Sequence, residues 1–162
     1  MLKYIDYKIT FLEVPNEISL CINISGCPIH CEECHSKYLW EDEGTLLDLQ
    51  HLTDLIDTNT GISCVCIMGG DSCPKEVDNI AKDIRDYYPN LKVCWYSGKQ
   101  ELSKDINLEN FDYLKLGPYI KDKGPLTYKS TNQRFYQVLN SKLLNSKLVD
   151  ITNQFQKYET NN

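Results

Sequence analysis

An α/β domain built on a mostly parallel sheet is the fold class this sequence predicts, and three observations predict it. Apolar alternation marks strands at residues 17–24, 62–68, 91–96 and 111–116. Helical spacing fills the intervals between them, and each strand runs into a loop rich in glycine, cysteine or serine.

In the first strand Ile18, Leu20, Ile22 and Ile24 share one face, so the strand leads directly into a cysteine loop. Thr45 suits a helix N-cap, and Leu46, Leu49, Leu52, Leu55 and Ile56 then recur at helical spacing to about Asp57. The second strand ends at Gly69 and Gly70, and Pro74 suits the first turn of a helix reaching about Tyr88, with Ile80 and Ile84 on its buried face. The third strand ends at Ser97 and Gly98, a short helix is expected around 100–104, and the fourth strand ends at Gly117 and Pro118. Segments 134–139 and 148–155 are expected to form two strands joined through a polar turn region, closing the sheet with a C-terminal β-hairpin. No repeat or linker divides the chain, which predicts one domain over 1–158 and a frayed tail over 159–162.

The 162 residues, 41% hydrophobic and 25% charged, suffice for one folded core. A net charge of −6, from 17 basic and 23 acidic side chains, argues against a nucleic-acid partner, which would need clustered Lys and Arg. Lys3, Asp6 and Lys8 interrupt the apolar residues of the opening stretch, so neither a signal peptide nor a membrane span is expected there, and a cytoplasmic location is. Eight cysteines in a reducing compartment point to metal or redox chemistry rather than to a disulfide scaffold.

The central signal is Cys27, Cys31 and Cys34, spaced C-x-x-x-C-x-x-C immediately after a strand. Iron-sulfur clusters are normally held by four thiolates, so three on one loop would ligate three irons of a [4Fe-4S] cluster and leave the fourth iron free to bind a ligand. The amino and carboxylate groups of a methionine moiety can chelate such an iron, placing a sulfonium where one electron breaks a carbon–sulfur bond. That chemistry belongs to a cofactor and lies beyond any side-chain acid or base. The competing reading is a structural zinc knuckle completed by His30 or His35, although structural zinc usually draws on two separated ligand pairs and no second C-x-x-C occurs. Cys21, Cys64, Cys66 and Cys94 read as strand interior, and Cys73 as structural. Met68, Gly69, Gly70 and Asp71 form a second constellation, a close-approach turn with an acid suited to a ligand's ammonium group or, alternatively, a plain strand-to-helix turn.

The cysteine loop, the Gly69-Gly70-Asp71 turn, the lead-in 23–27, the segment 115–120 and the element 130–134 together resemble the radical S-adenosylmethionine superfamily, specifically the activating proteins of anaerobic (class III) ribonucleotide reductases. The resemblance covers most of the chain and implies an incomplete β/α barrel whose open side suits a protein loop. It implies that Cys27, Cys31 and Cys34 ligate a [4Fe-4S] cluster and that Gly69, Gly70 and Asp71 contact the methionyl amino group of S-adenosylmethionine. Glu33 and His35 would touch the adenosyl part through main-chain atoms, and Ser97 is the candidate for the ribose. Asn132, Gln133 and Arg134 correspond to the family's closing element, a cofactor or partner contact or else a polar strand start. Two positions depart from common radical-enzyme patterns, with Glu33 where many carry an aromatic residue and Asp71 where many carry Glu.

The implied activity is formation of a glycyl radical on the large subunit of anaerobic ribonucleoside-triphosphate reductase, with electrons from a low-potential donor of flavodoxin type. No catalytic acid or base is required, so His51 and the 11 tyrosines stay outside the site. The rivals are an activase of another glycyl-radical enzyme, a small-molecule radical synthase and, from another class, a zinc-stabilised binding module.

Overall fold

The computed structural model describes residues 1–141 and 144–157. In chain order, β1 (Lys3–Thr10) and β2 (Ser19–Ile24) precede the cysteine loop, and β3 (Thr45–Leu46) and α1 (Leu49–Thr58) follow it. Next come β4 (Cys64–Met68), α2 (Pro74–Tyr87), β5 (Lys92–Tyr96), β6 (Tyr113–Leu116), β7 (Arg134–Ser141) and β8 (Leu144–Asp150). The strands form one open sheet in the order β3-β1-β2-β4-β5-β6-β7-β8.

The sheet is mixed rather than mostly parallel. β2, β4, β5 and β6 pair in parallel, but β1 and β3 on one side and β7 and β8 on the other pair antiparallel. The sequence reading missed β1 because Asp6 and Lys8 alternate with Ile5, Tyr7 and Ile9 in a strand whose outward residues are polar and apolar alike. Thr45 and Leu46 do not open a helix. Their backbone pairs with Lys3 and Tyr4, and Asp48 takes the N-cap of α1, accepting from the His51 N–H at 2.9 Å. No helix forms around 100–104, where Ser97 Oγ accepts from Lys99 N at 3.0 Å and Ser103 Oγ from Asp105 N at 3.3 Å, local bonds that compete with a helical ladder. The second C-terminal strand ends at Asp150, earlier than the expected 155, because Asp150 Oδ1 accepts from Thr152 N and turns the chain into a short 3-10 segment. The expected frayed tail 159–162 lies outside the described residues.

Both helices pack on one face of the sheet. Leu20, Ile22, Val65, Ile67, Val93 and Trp95 meet Leu52, Val77, Ile80 and Ile84 there in the main core. Each fully buried aliphatic side chain contributes about 1.5 to 3 kcal/mol of transfer free energy, so this layer carries most of the fold's stability. The period-2 alternation of the strands turns Cys21, Cys64, Cys66 and Cys94 to the other face, where they are fully buried with Val14 and Phe135. Cys21, Cys66 and Cys94 are register partners across β2, β4 and β5. Burial pushes the thiols of Cys64 and Cys66 well up and that of Cys94 to about 11, which keeps them protonated and inert.

Because β2, β4, β5 and β6 run parallel, their carboxyl ends share one side of the sheet. The cysteine loop, the Gly-Gly-Asp turn, Ser97 and the Gly117 turn therefore converge there, as ligand sites do in parallel sheets. Among the described residues no helix is long and apolar enough to cross a membrane.

Candidate metal centre

The loop after β2 is held from outside by main-chain bonds. Gly26 N donates to Glu41 O at 3.0 Å and Cys27 N to Leu39 O at 2.9 Å, while Ser25 Oγ donates to Glu43 O at 2.6 Å. Inside the loop, the residue before each cysteine has a left-handed backbone: Gly26 at φ +68°, His30 at +48° and Glu33 at +56°. For the two non-glycine residues this costs about 1 kcal/mol or more each, strain of the kind that persists where a loop must present side chains in one direction. Its result is that Cys27, Cys31 and Cys34, all free and half-buried, line a single cavity of about 200 Å³.

Gly69, Asp71 and Ser97 line the same cavity. Gly69 adopts φ +101°, and its carbonyl accepts from Trp95 Nε1 at 2.7 Å, which anchors the turn to β5. Asp71 is buried, its Oδ1 accepting from Ser97 Oγ at 2.5 Å and its Oδ2 from Gly98 N at 2.8 Å. Gly70 does not reach the cavity. Its φ is +90°, and a Cβ there would stand 2.6 Å from Val77 Cγ2, so this glycine lets α2 pack closely.

Residues 18–139, three quarters of the chain, match the family model described as a 4Fe-4S single cluster domain. The chain belongs to that family. No curated protein and no solved structure matches the chain. An iron-sulfur cofactor is thereby indicated for this 4Fe-4S domain, and the donor set fits one. Three soft thiols share the cavity wall, and no other cysteine does, because Cys21, Cys64, Cys66 and Cys94 face the opposite core and Cys73 packs against the helix-side core.

Each histidine of the loop rests against an aromatic ring. His30 stacks on Trp40 with centroids 4.5 Å apart, and His35 leans on Tyr119 at 5.9 Å. Among the described residues no three His, Cys, Asp or Glu side chains are grouped to hold a single metal ion.

The remaining residues singled out in the sequence fall in other places. Glu33 turns its carboxylate outward to Lys121 Nζ at 2.6 Å. His35 and Gln133 line an adjoining cavity of about 280 Å³ instead of the cysteine cavity. Asn132 Nδ2 donates to Pro118 O at 2.9 Å, and its buried Oδ1 has no partner among the described residues. Arg134 bonds the carbonyls of Thr131 and Gln133 at 2.8 Å each and lies 3.7 Å from Asp150 Oδ2, a structural use of the guanidinium.

Sequence reasoning missed Lys115 as a site residue. It sits on β6, is only 8% exposed and lines both cavities together with Tyr96 and Tyr119. Its Nζ donates to Gly117 O at 2.6 Å and lies 5.9 Å from the Tyr96 ring centroid. Burial lowers its pKa to about 8, with Cys31 and Asp71 pulling the other way. The available signal was a lysine flanked by leucines within a strand of four otherwise apolar residues.

Proposed function

We propose that this 4Fe-4S domain is a radical S-adenosylmethionine activase that cleaves its cofactor reductively and generates the glycyl radical of an anaerobic ribonucleoside-triphosphate reductase. The observation that carries this reading is the shared cavity, in which three thiols from one loop face Gly69 and Asp71 with no fourth cysteine beside them. Cys27, Cys31 and Cys34 would hold the cluster and leave one iron for the methionyl group. When bound, cluster and S-adenosylmethionine supply one-electron scission of a carbon–sulfur bond, for which no side-chain acid or base can substitute.

The chain's own residues provide binding and orientation. The Asp71 carboxylate would offer its remaining lone pairs to the N–H groups of the iron-bound amine, and the Lys115 ammonium, with donors beyond its bond to Gly117 O, would donate to the outer oxygen of the ligand's carboxylate. A carboxylate and an ammonium lining one cavity orient such a ligand in one sense. The aromatic rings of Tyr96 and Tyr119 border the cavity and offer apolar surface to a bound ligand.

The open mixed sheet is read as a partial barrel of radical S-adenosylmethionine type. Its adjoining cavity, reached past Lys115 and lined by Gln133 and His35, suits a protein loop. A low-potential donor such as reduced flavodoxin would supply the electron, in a cytoplasmic setting. The test is anaerobic incubation of the reduced, cluster-loaded protein with S-adenosylmethionine and the reductase large subunit, followed by electron paramagnetic resonance. A glycyl doublet on the large subunit is expected, and methionine release without that doublet would reassign the partner.

A further inference from the structure

The outer edge of β1 is unusual for a strand at the rim of a sheet. β3 covers only Lys3 and Tyr4 on that edge, so from residue 5 to residue 10 no strand pairs there among the described residues. Such an edge is normally blunted, because its free N–H and C=O groups recruit another strand. Here exposed apolar and charged side chains alternate, with Tyr7 43% and Ile9 46% exposed in alternation with Asp6 and Lys8.

The two faces of this edge differ. Tyr7 and Ile9 stand opposite Ile22 and Leu20, members of the helix-side core, so they extend that apolar face past the end of the sheet. Asp6 and Lys8 stand opposite Asn23 and Cys21 and belong to the other face. Both are fixed there, Asp6 Oδ1 accepting from Asn23 Nδ2 at 2.5 Å and Lys8 Nζ lying 3.0 Å from Glu13 Oε1.

We propose that β1 pairs antiparallel with β1 of a second copy of this chain, across a two-fold axis through Tyr7, joining two sheets edge to edge. With the axis at Tyr7, Asp6 of each copy faces Lys8 of the other, two opposite-charge pairs around a central Tyr7 pair. Moving the axis to Asp6 or to Lys8 sets two like charges directly opposite, which is unfavourable. Moving it by half a residue matches the apolar face of one strand with the charged face of the other. Charge complementarity thus selects one register. The register shift between Tyr4 and Asp6, together with β3 beyond it, stops the pairing from extending, so the assembly closes at two copies.

The test is sedimentation velocity on the anaerobically purified, cluster-loaded chain over a wide concentration range, with Asp6→Lys and the double variant D6K/K8D alongside. The wild type is expected to dimerise reversibly. Asp6→Lys turns two attractive contacts into two repulsive ones and is expected to weaken the dimer about tenfold, and D6K/K8D to restore it. Hydrogen exchange of the wild type gives a reading independent of any substitution, with amides of residues 6–9 slowing as concentration rises. A wild type that stays monomeric, a double variant no tighter than the single one, or exchange that ignores concentration would each overturn the proposal.

Discussion

Ser97 donates its hydroxyl to Asp71 at 2.5 Å, and the neighbouring Gly98 N–H donates to the other carboxylate oxygen at 2.8 Å. The two bonds tie the turn after β4 to the end of β5 and fix a buried acid in one rotamer. The Ser97 hydroxyl thus holds Asp71 in place on the wall of the cysteine cavity, which under the proposed reading positions that carboxylate for the ligand.

Removing that bond is expected to cost affinity rather than fold. Ser97→Ala deletes one hydrogen bond to a charged group, worth about 1.5 kcal/mol, which corresponds to roughly tenfold weaker binding of S-adenosylmethionine. Equilibrium binding to anaerobically reconstituted protein measures it. Unchanged affinity would reduce the Ser97–Asp71 pair to a structural tie.

Lys115 yields a pH-dependent prediction. Its pKa is about 8 in the folded chain against 10.5 for a free lysine. Below pH 8 the ammonium is charged in both folded and unfolded chains, and its desolvation opposes folding. Between 8 and 10.5 the folded chain releases the proton while the unfolded chain keeps it, so wild-type stability rises through that window. Lys115→Met removes the buried charge. Without S-adenosylmethionine the variant is expected to be more stable than wild type at pH 7, by about 1 to 3 kcal/mol, with the gap closing towards pH 10.5. Its affinity for S-adenosylmethionine should fall tenfold or more. Urea melts at pH 7 and pH 10 check the first claim, and a variant less stable at pH 7 would contradict it.

The two glycines of the turn are expected to respond differently. Gly70→Ala places a methyl 2.6 Å from Val77 Cγ2 at a φ of +90°, which should lower stability by about 2 kcal/mol or more while iron content stays at the wild-type level. Gly69→Ala meets the Ile24 carbonyl at 3.3 Å and Ile24 Cβ at 3.7 Å at a φ of +101°, so it too should lose stability, but because Gly69 lines the cavity it should also lose ligand affinity. Thermal melts and binding measurements together separate the two outcomes.

The parallel centre of the fold was legible because β2 alternates apolar residues and β4 and β5 carry apolar and thiol runs, each ending in a glycine, cysteine or serine loop. The flanks were not. β1 is an exposed strand whose Asp6 and Lys8 imitate a loop, and β3 is two residues paired through backbone alone, which leaves no trace in side-chain pattern. The three cysteines were visible from spacing, and the structure brings Gly69, Asp71 and Ser97 to them. Lys115 was hidden for the opposite reason. A charged residue within a buried strand contradicts local pattern, and only the cavity beside β6 gives it a purpose.

The most direct measurement is iron and acid-labile sulfide analysis of anaerobically purified protein, with electron paramagnetic resonance of the reduced form before and after adding S-adenosylmethionine. Iron and sulfide in equal amounts are expected, with a cluster spectrum that changes when S-adenosylmethionine binds. Cys31→Ala should lose that signal yet keep a folded chain, since Cys31 is half-buried at the sheet's end. Colourless zinc-bearing protein, or a cluster spectrum indifferent to S-adenosylmethionine, would contradict a site with one iron left open.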